Sequence, residues 1–316
     1  MPTHENRLVI YSAADKQYCT GLLEGFSARH PGIAVEFVFG ISVALHERYL
    51  AELAAGTPVA DVLWSSAMDL QMSLARDGKA LPHASPEASA LPPGAAYRDL
   101  AYATTVEPLM TLVNRGLYDV RVPAGSLAER TAALGRDRCR GRVAAYDIAN
   151  NGLGFLALLH ESRHGADFDA FLEAIAACKP KTFGSNPALV DEVASGRAAL
   201  GYHVLGSYAL RAVHANPALA IASSNAPLLA ISRLALISSR APHPNAARLF
   251  VDYLLSQEGQ RHLLTAGLFP IRNEAGASSS SAALAPIRVD RDFDTLLDPE
   301  RRRTLLSRWQ AAVAGP

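Results

Sequence analysis

Serine hydroxyls follow two apolar segments near the start of this 316-residue chain. Ser12 comes directly after Leu8–Tyr11, and Ser65 and Ser66 come directly after Pro58–Trp64. In open α/β sheets, ligands bind outside the carboxyl ends of the strands, where helix N-termini direct unpaired N–H groups at them. Hydroxyl and N–H groups donate short hydrogen bonds to phosphate or carboxylate. As a set these serines predict an oxyanion site, whereas any one of them could serve as an ordinary helix N-cap.

A second set of polar residues belongs to a later part of the chain. Some of these residues begin a predicted helix after the predicted strand 143–147. The others lie on or just after the predicted strand 198–204. The predicted ligand contacts in this part are Asn151, Gly152, Tyr202, Ser207 and Tyr208.

Sequence signatures of catalysis are missing from the chain. It contains no GxSxG elbow, HExxH pair, Walker loop or GxGxxG fingerprint, so a binding protein is favoured over an enzyme. The alternative to a binding protein is a hydrolase whose catalytic residues lie far apart in the sequence. His160 and His164 have the spacing of a helical metal pair, but exposed helix positions are the favoured interpretation, and no metal or cofactor is predicted.

Charge and cysteine content restrict the possible partners and compartment. The 30 basic residues balance 30 acidic ones, and without a larger basic cluster than Arg301–Arg303 a nucleic-acid partner is not expected. Cys19, Cys139 and Cys178 are widely separated, which favours three reduced, buried thiols over a zinc site or a disulfide framework. No apolar run reaches the roughly 20 residues needed to cross a bilayer.

Strands alternate with amphipathic helices in the first hundred residues. The strand patterns are Leu8–Tyr11, Ile33–Phe39 and Pro58–Trp64, and this alternation predicts an α/β lobe with a mostly parallel sheet. Extended segments then meet at Glu107-Pro108, and a second extended stretch covers 228–237. We therefore predict one lobe formed by residues 1–105 and 231–316, and another formed by 106–230.

One long segment carries a family resemblance. The predicted helix His243–Gln260, followed by Gly267–Arg272 and taken with Val9–Ser12 and Pro58–Val62, resembles the family 1 extracellular solute-binding proteins of ABC importers, in the branch of the ferric-ion-binding proteins. The resemblance implies a type II periplasmic-binding-protein fold, with two α/β lobes that are joined by a two-strand hinge and close on a ligand in the cleft between them. It also implies a monomeric periplasmic protein without catalysis, whose export leader is absent from this sequence.

The ligand predicted from the resemblance is a small anion rather than iron. Ferric-binding relatives use adjacent tyrosines, a histidine and a glutamate, where this chain has Tyr202-His203, Asp15-Lys16 and Ser65-Ser66. Ferric iron prefers anionic oxygen ligands, and these positions offer few. Segments Trp64–Asp69 and Val204–Ala209 instead resemble a subgroup of phosphoglycerate- and organophosphate-binding proteins.

Two alternatives keep this fold, namely capture of ferric iron and ligand sensing for a membrane kinase. The favoured partners are a small organic phosphate, phosphonate or similar oxyanion and the membrane permease of an ABC importer. Arg233 and Arg272 are the candidate arginines for such a ligand.

Overall fold

The chain passes between two units of structure, leaving the first after Val106 and returning to it after Ala230. The computed structural model describes residues 5–119, 127–164, 168–224, 227–272, 284–289 and 297–314. Unit 1 comprises residues 1–106, 231–279 and 286–296, and unit 2 comprises 107–230, 280–285 and 297–316. The predicted organisation into two α/β parts is therefore confirmed.

Strands and helices alternate through most of the described chain. The strands are β1 (Arg7–Ser12), β2 (Ala34–Phe39), β3 (Val62–Ser65), β4 (Ala96–Tyr97), β5 (Ala101–Ala103), β6 (Glu107–Asn114), β7 (Val143–Tyr146), β8 (Lys181–Phe183), β9 (Leu200–Leu205), β10 (Leu219–Ile221), β11 (Leu228–Ile231), β12 (Leu234–Ile237) and β13 (Leu284–Pro286). The helices are α1 (Lys16–Arg29), α2 (Ser42–Ala54), α3 (Met68–Arg76), α4 (Leu127–Leu134), α5 (Arg136–Cys139), α6 (Gly152–His164), α7 (Phe168–Cys178), α8 (Asn186–Ala194), α9 (Gly206–Ala215), α10 (Pro244–Leu255), α11 (Gln257–Thr265) and α12 (Pro299–Ala314). A short 3-10 helix covers Pro86–Ala90. None of the described helices is both long and apolar enough to span a membrane.

The sheet of unit 1 has the strand order β2-β1-β3-β12-β5-β4. β1 pairs in parallel with β2 and β3, and its residues from Leu8 onward are buried, as a strand covered on both faces requires. β12 enters antiparallel between β3 and β5. The predicted parallel arrangement therefore holds for β1 to β3. The whole sheet is mixed because β12, which follows unit 2 in the sequence, pairs antiparallel with β3 and β5.

The sheet of unit 2 has the order β13-β11-β6-β9-β7-β8, with β10 beside β6. β7 runs parallel to β8 and β9, whereas β6 is antiparallel to β9. The pairing of β6 with β9 shifts register, because Met110 lies opposite Val204 and Leu112 lies opposite Gly201. This extra residue in β9 is a β-bulge, and His203 within it has a φ of 59°.

The segment predicted as one helix from His243 to Gln260 forms two helices. Ser256 separates α10 from α11, with an extended backbone and a hydroxyl that accepts a 3.2 Å hydrogen bond from the N–H of Gly259. A Cβ on Gly259 would lie 2.1 Å from the carbonyl oxygen of Tyr253, so only glycine fits this junction. The chain therefore turns where helical periodicity alone predicts continuation.

The C-terminal helix does not belong with unit 1, where the prediction placed all of 231–316. Helix α12 packs against α7 in unit 2, where the ring of Trp309 stacks on Phe171 with centroids 6.4 Å apart. The Arg302 guanidinium lies 4.0 Å from the centre of the Phe155 ring in α6. Residues 273–283, 290–296 and 315–316 of the predicted range lie outside the described residues.

The cysteine prediction is corrected in unit 2. Cys139, at the end of α5, and Cys178, at the end of α7, form a disulfide across 39 positions of sequence. The tertiary packing of α5 on α7 brings their Cα atoms to 5.0 Å, a proximity that sequence spacing does not reveal. Cys19 is a buried free thiol in unit 1.

Candidate ligand-binding site

The three predicted serines of unit 1 lie together at the carboxyl edge of its sheet. Ser12 ends β1, and the parallel register places it beside Trp64, so that it neighbours Ser65 at the end of β3. Ser66 follows directly in the link to α3. Ser12 is fully buried and Ser66 nearly so. We call this cluster of Ser12, Ser65 and Ser66 the unit 1 edge.

Two hydroxyls of the unit 1 edge accept hydrogen bonds from the backbone. The Oγ of Ser12 accepts from the N–H of Ala14, and the Oγ of Ser65 accepts from the N–H of Ala67, each at 3.1 Å. Among the described residues neither hydroxyl donates to another protein group. Since a hydroxyl has one proton and two lone pairs, each of these serines keeps a proton that no described protein group accepts.

Two helices begin at the unit 1 edge without a capping side chain. The N-cap residue of α2 is Ile41 and that of α3 is Ala67, and neither side chain can accept a hydrogen bond. Helix α11, elsewhere in unit 1, is capped by the Ser256 hydroxyl. The positive end of the helix dipole favours an anion at each of these starts, and in α3 the buried carboxylate of Asp69 already lies in the first turn.

A small pocket, open to solvent and with room for about one water molecule, lies between the starts of α2 and α3. It is lined by Tyr11, Ser42, Leu45, His46, Leu63, Ser65, Leu70 and Gln71. The Tyr11 hydroxyl donates a 2.7 Å hydrogen bond to Oε1 of Glu52. Burial, together with that carboxylate, raises the pKa of Tyr11 and keeps its ring neutral. The pocket therefore combines neutral and apolar walls with serine hydroxyls.

The second set of predicted ligand contacts lies at different places within unit 2. Asn151 directly precedes Gly152, the first residue of α6, and its Oδ1 accepts a 2.9 Å hydrogen bond from the N–H of Gly154. The Nδ2 of Asn151 donates to the carbonyl of Gly184 at 2.9 Å. Asn151 thus caps α6 and ties it to the link between β8 and α8, which is a structural use of both ends of its amide.

Ser207 and Tyr208 lie in the first turn of α9, after β9, and both are buried. The Ser207 hydroxyl donates a 2.6 Å hydrogen bond to Oε2 of Glu107, the first residue of β6, which is fully buried. Sequence reasoning used Glu107 only to mark the crossing between the two parts and did not predict its hydrogen bond to Ser207. An acidic residue on a strand that is predicted to cross between the two parts is the sequence feature that could have drawn attention to Glu107. We call Glu107, Asn151, Gly152, Ser207 and Tyr208 the unit 2 edge.

Tyr202 is buried in unit 2, and its role as a ligand contact stays a prediction. Its hydroxyl donates to Oε1 of Glu161 at 3.0 Å, and its ring packs near Phe171. Glu161 lies nine residues after Gly152, roughly 14 Å further along α6. Burial and the Glu161 carboxylate raise the pKa of Tyr202 well above its usual value. The proton of the Tyr202 hydroxyl is therefore used within unit 2.

The two candidate arginines lie in unit 1. Nη1 of Arg272 pairs with Oε2 of Glu87 at 2.6 Å, so its charge is already matched within the protein. Arg233 is fully buried, and its backbone N–H donates to the Thr105 hydroxyl.

The described residues contain no group of three or more His, Cys, Asp or Glu side chains placed to hold a metal ion. The side chain of His164, from the predicted histidine pair, lies outside the described residues.

A sequence profile described as bacterial extracellular solute-binding protein matches residues 11–261. Among solved structures, the substrate-binding protein of an ABC transporter from Agrobacterium tumefaciens is 29% identical, with a TM-score of 0.90 over 99% of this chain and 95% of that one. The periplasmic binding protein AfuA from Actinobacillus pleuropneumoniae, with fructose-6-phosphate bound, is 20% identical, with a TM-score of 0.80 over 98% of each chain.

A ferric binding protein from Campylobacter jejuni is 16% identical, with a TM-score of 0.78 over 96% of this chain and 99% of that one. The comparison with curated proteins gives no match. At these identities the likeness to AfuA and to the ferric binding protein concerns the fold alone.

Proposed function

Because this chain belongs to the bacterial extracellular solute-binding protein family, we propose that its cargo is a small organic phosphate, phosphonate or similar oxyanion. The protein binds a solute for an ABC transporter and is not an enzyme. The observation that carries the proposal is the unit 1 edge, where α2 and α3 begin with apolar N-caps beside serines that can still donate. Such an arrangement binds an anion without an arginine.

Iron is disfavoured as the cargo by the side chains available. Ferric iron needs several anionic oxygen ligands, whereas Ser65 and Ser66 carry neutral hydroxyls at the unit 1 edge. The phenol of Tyr202, the residue matched to a tyrosine of the ferric-binding relatives, donates to Glu161 inside unit 2. The ferric binding proteins share the fold with this chain at 16% identity, which supports no conclusion on cargo.

We propose the periplasm as the compartment and the permease of an ABC importer as the partner, with the protein acting as a monomer. The family is extracellular in bacteria. The disulfide between Cys139 and Cys178 supports an oxidising compartment, because such bonds persist outside the cytoplasm.

Titration calorimetry tests the cargo directly. The purified protein is titrated with 3-phosphoglycerate, fructose 6-phosphate, 2-aminoethylphosphonate, inorganic phosphate and ferric citrate. We expect heat of binding with at least one phosphorus compound and none with ferric citrate. Tight binding of ferric iron with a visible tyrosinate charge-transfer band, and no binding of any phosphorus compound, would show that the proposal is wrong.

A further inference from the structure

Arginine occupies every second position from residue 136 to residue 142, around the end of α5 and the start of β7. The side chains of Arg138, Arg140 and Arg142 are all exposed to solvent. Within the described ranges, no hydrogen bond or ion pair joins these three guanidinium groups to another part of the chain. Their charges are therefore available to a partner outside the chain.

The sheet of unit 2 brings two further cations to this segment. Arg142 directly precedes β7, and β7 runs parallel to β8 and β9, so the three strands start at the same edge of the sheet. Lys181 is the first residue of β8, and Arg197 lies three residues before β9. Both side chains are exposed. We call the set of exposed cations at this edge the basic patch: Arg138, Arg140, Arg142, Lys181 and Arg197.

The carboxylates of α8 offset only part of this charge. Lys181 and Arg197 share one buried carboxylate, that of Glu192, with each N–O distance at 2.7 Å. The adjacent Asp191 is exposed. These two carboxylates stand against five cations, so the basic patch keeps an excess of positive charge.

The arginine segment is held in place by the fold. Cys139 lies within it and forms the disulfide with Cys178 of α7. The N–H of Gly141 donates to the carbonyl of Cys178 at 2.7 Å, and the carbonyl of Arg142 accepts from the N–H of Ala199 at 2.7 Å. Because the backbone is fixed before a partner arrives, binding costs little conformational entropy.

The composition of the basic patch indicates the kind of partner. Among the described residues, none of the exposed large apolar side chains belongs to it. Protein interfaces have a core that is depleted of charge and rich in apolar contacts, so a purely cationic surface suits an array of phosphates better than an acidic protein. The guanidinium group matches phosphate geometry. A solute-binding protein of an ABC transporter works beside a membrane, which presents such an array.

We propose that the basic patch binds the anionic phospholipid headgroups of the membrane that contains the transporter. The strands β7 and β9 run from the patch towards the unit 2 edge, where Asn151 and Ser207 follow them. Contact with the bilayer therefore leaves the predicted ligand contacts of unit 2 at the far ends of these strands. The inference does not depend on the identity of the cargo.

Co-sedimentation of the intact protein with vesicles tests the proposal. Vesicles of phosphatidylcholine alone are compared with vesicles of equal parts phosphatidylglycerol and phosphatidylcholine, at low and at high sodium chloride concentration. We expect binding to the anionic vesicles only, and release at high salt because the ions screen exposed charges.

A triple variant assigns the binding to the patch. Arg138→Gln, Arg140→Gln and Arg142→Gln together should lower the partition coefficient about 100-fold, since each cation near an anionic membrane contributes about fivefold. The matched control removes the same charge from exposed arginines of unit 1, by Arg98→Gln, Arg240→Gln and Arg261→Gln. The control should bind the anionic vesicles nearly as well as the wild-type protein.

Three results would overturn the proposal. The first is equal binding of the wild-type protein to both kinds of vesicle. The second is an equal loss in both triple variants, which would show a general effect of net charge. The third is retention by immobilised poly-glutamate or duplex DNA without binding to anionic vesicles, which would assign the patch to an acidic protein or a nucleic acid. Because the lipid and salt comparisons use the wild-type protein, a variant that fails to fold does not remove the test.

Discussion

Serines lie at or just after strand ends in both units, but their protons are used differently. At the unit 1 edge, Ser12 and Ser65 accept from backbone N–H groups and keep their protons for a ligand. At the unit 2 edge, Ser207 gives its proton to Glu107. Helices α2 and α3 begin with apolar N-caps, whereas α6 and α8 are capped by side chains. The two serines of the first edge keep protons that no described protein group accepts, whereas the proton of Ser207 is already used.

This difference teaches that the residue type alone does not set the role of a hydroxyl. The group that accepts the serine proton decides whether the hydroxyl is left as a donor or only as an acceptor. Buried Glu107, which belongs to the first strand after the crossing, reverses the role of a serine 100 residues away in the sequence. Four changes would break or sharpen the contrast between the edges.

The largest effect is expected from opening the disulfide, which belongs to unit 2 alone. The span that it closes, 39 positions long, contains β7, α6 and the cap Asn151. Replacing Cys139 and Cys178 by serine should lower the stability of unit 2 by about 4 kcal/mol. Hydrogen exchange should then accelerate in α6 and α7 and stay unchanged in α1 and α3. Reductant should have no further effect on the double variant, and equal acceleration in both units would contradict the prediction.

Tyr202→Ala should come next, because Tyr202 supports the interior of unit 2. Loss of its buried ring should cost about 3 kcal/mol of unfolding free energy, and Tyr202→Phe about 1 kcal/mol through loss of the hydrogen bond to Glu161. Urea unfolding, with hydrogen exchange to locate the change in unit 2, provides the measurement. Ligand affinity of the folded Tyr202→Phe protein should be unchanged. Normal stability with much weaker binding would return Tyr202 to the ligand site.

Ser65→Asp should reverse the character of the unit 1 edge. An aspartate can still accept from the N–H of Ala67, as Ser65 does at 3.1 Å, so the local turn is retained. Its negative charge should repel a phosphate group and weaken binding by about 100-fold in calorimetry. Ser256→Asp introduces the same charge at the N-cap of α11, where aspartate is well tolerated. Equal loss of affinity in both variants would indicate a general charge effect instead of a local one.

The smallest effect is expected from acid acting on unit 2. Burial opposes the ionised form of Glu161, but hydrogen bonds and charge from His203, with the Tyr202 hydroxyl, outweigh it and lower its pKa below the ordinary 4.5. Ionised Glu161 therefore stabilises the folded state above about pH 4.5, and this contribution is lost as the pH falls through the lowered value. Hydrogen exchange in β9 should accelerate over that range. Glu161→Gln should flatten the response, and an unchanged profile would argue against it.

Much of the fold could be predicted from the sequence, because it depends on local patterns. The apolar run of β1 and the spacing of Tyr18, Leu22 and Phe26 in α1 define strand and helix without tertiary information. The crossings were placed within a residue of their observed positions after Val106 and Ala230. The break at Ser256 was missed, because the Ser256 cap and the close approach of Gly259 to the Tyr253 carbonyl appear only in the folded backbone.

The candidate site was harder to predict than the fold, because the direction of a side chain depends on pairing. The bulge in β9 and the positive φ of His203 direct the rings of Tyr202 and His203 to one side, with centroids 3.9 Å apart. Strict alternation would place them on opposite faces. The partners of Ser207 and of Cys139 are likewise distant in sequence. The roles of Ser12, Ser65, Ser66 and Ser207 in binding stay predictions.

The position of β12 in the sheet of unit 1 affects how the protein is made. This strand lies between β3 and β5, although residues 107–230 are synthesised before it. Until Leu234–Ile237 leave the ribosome, β3 and β5 lack their common partner and expose open sheet edges. A chain stopped at residue 230 would therefore tend to aggregate, and completing unit 1 requires closure of a loop that spans unit 2.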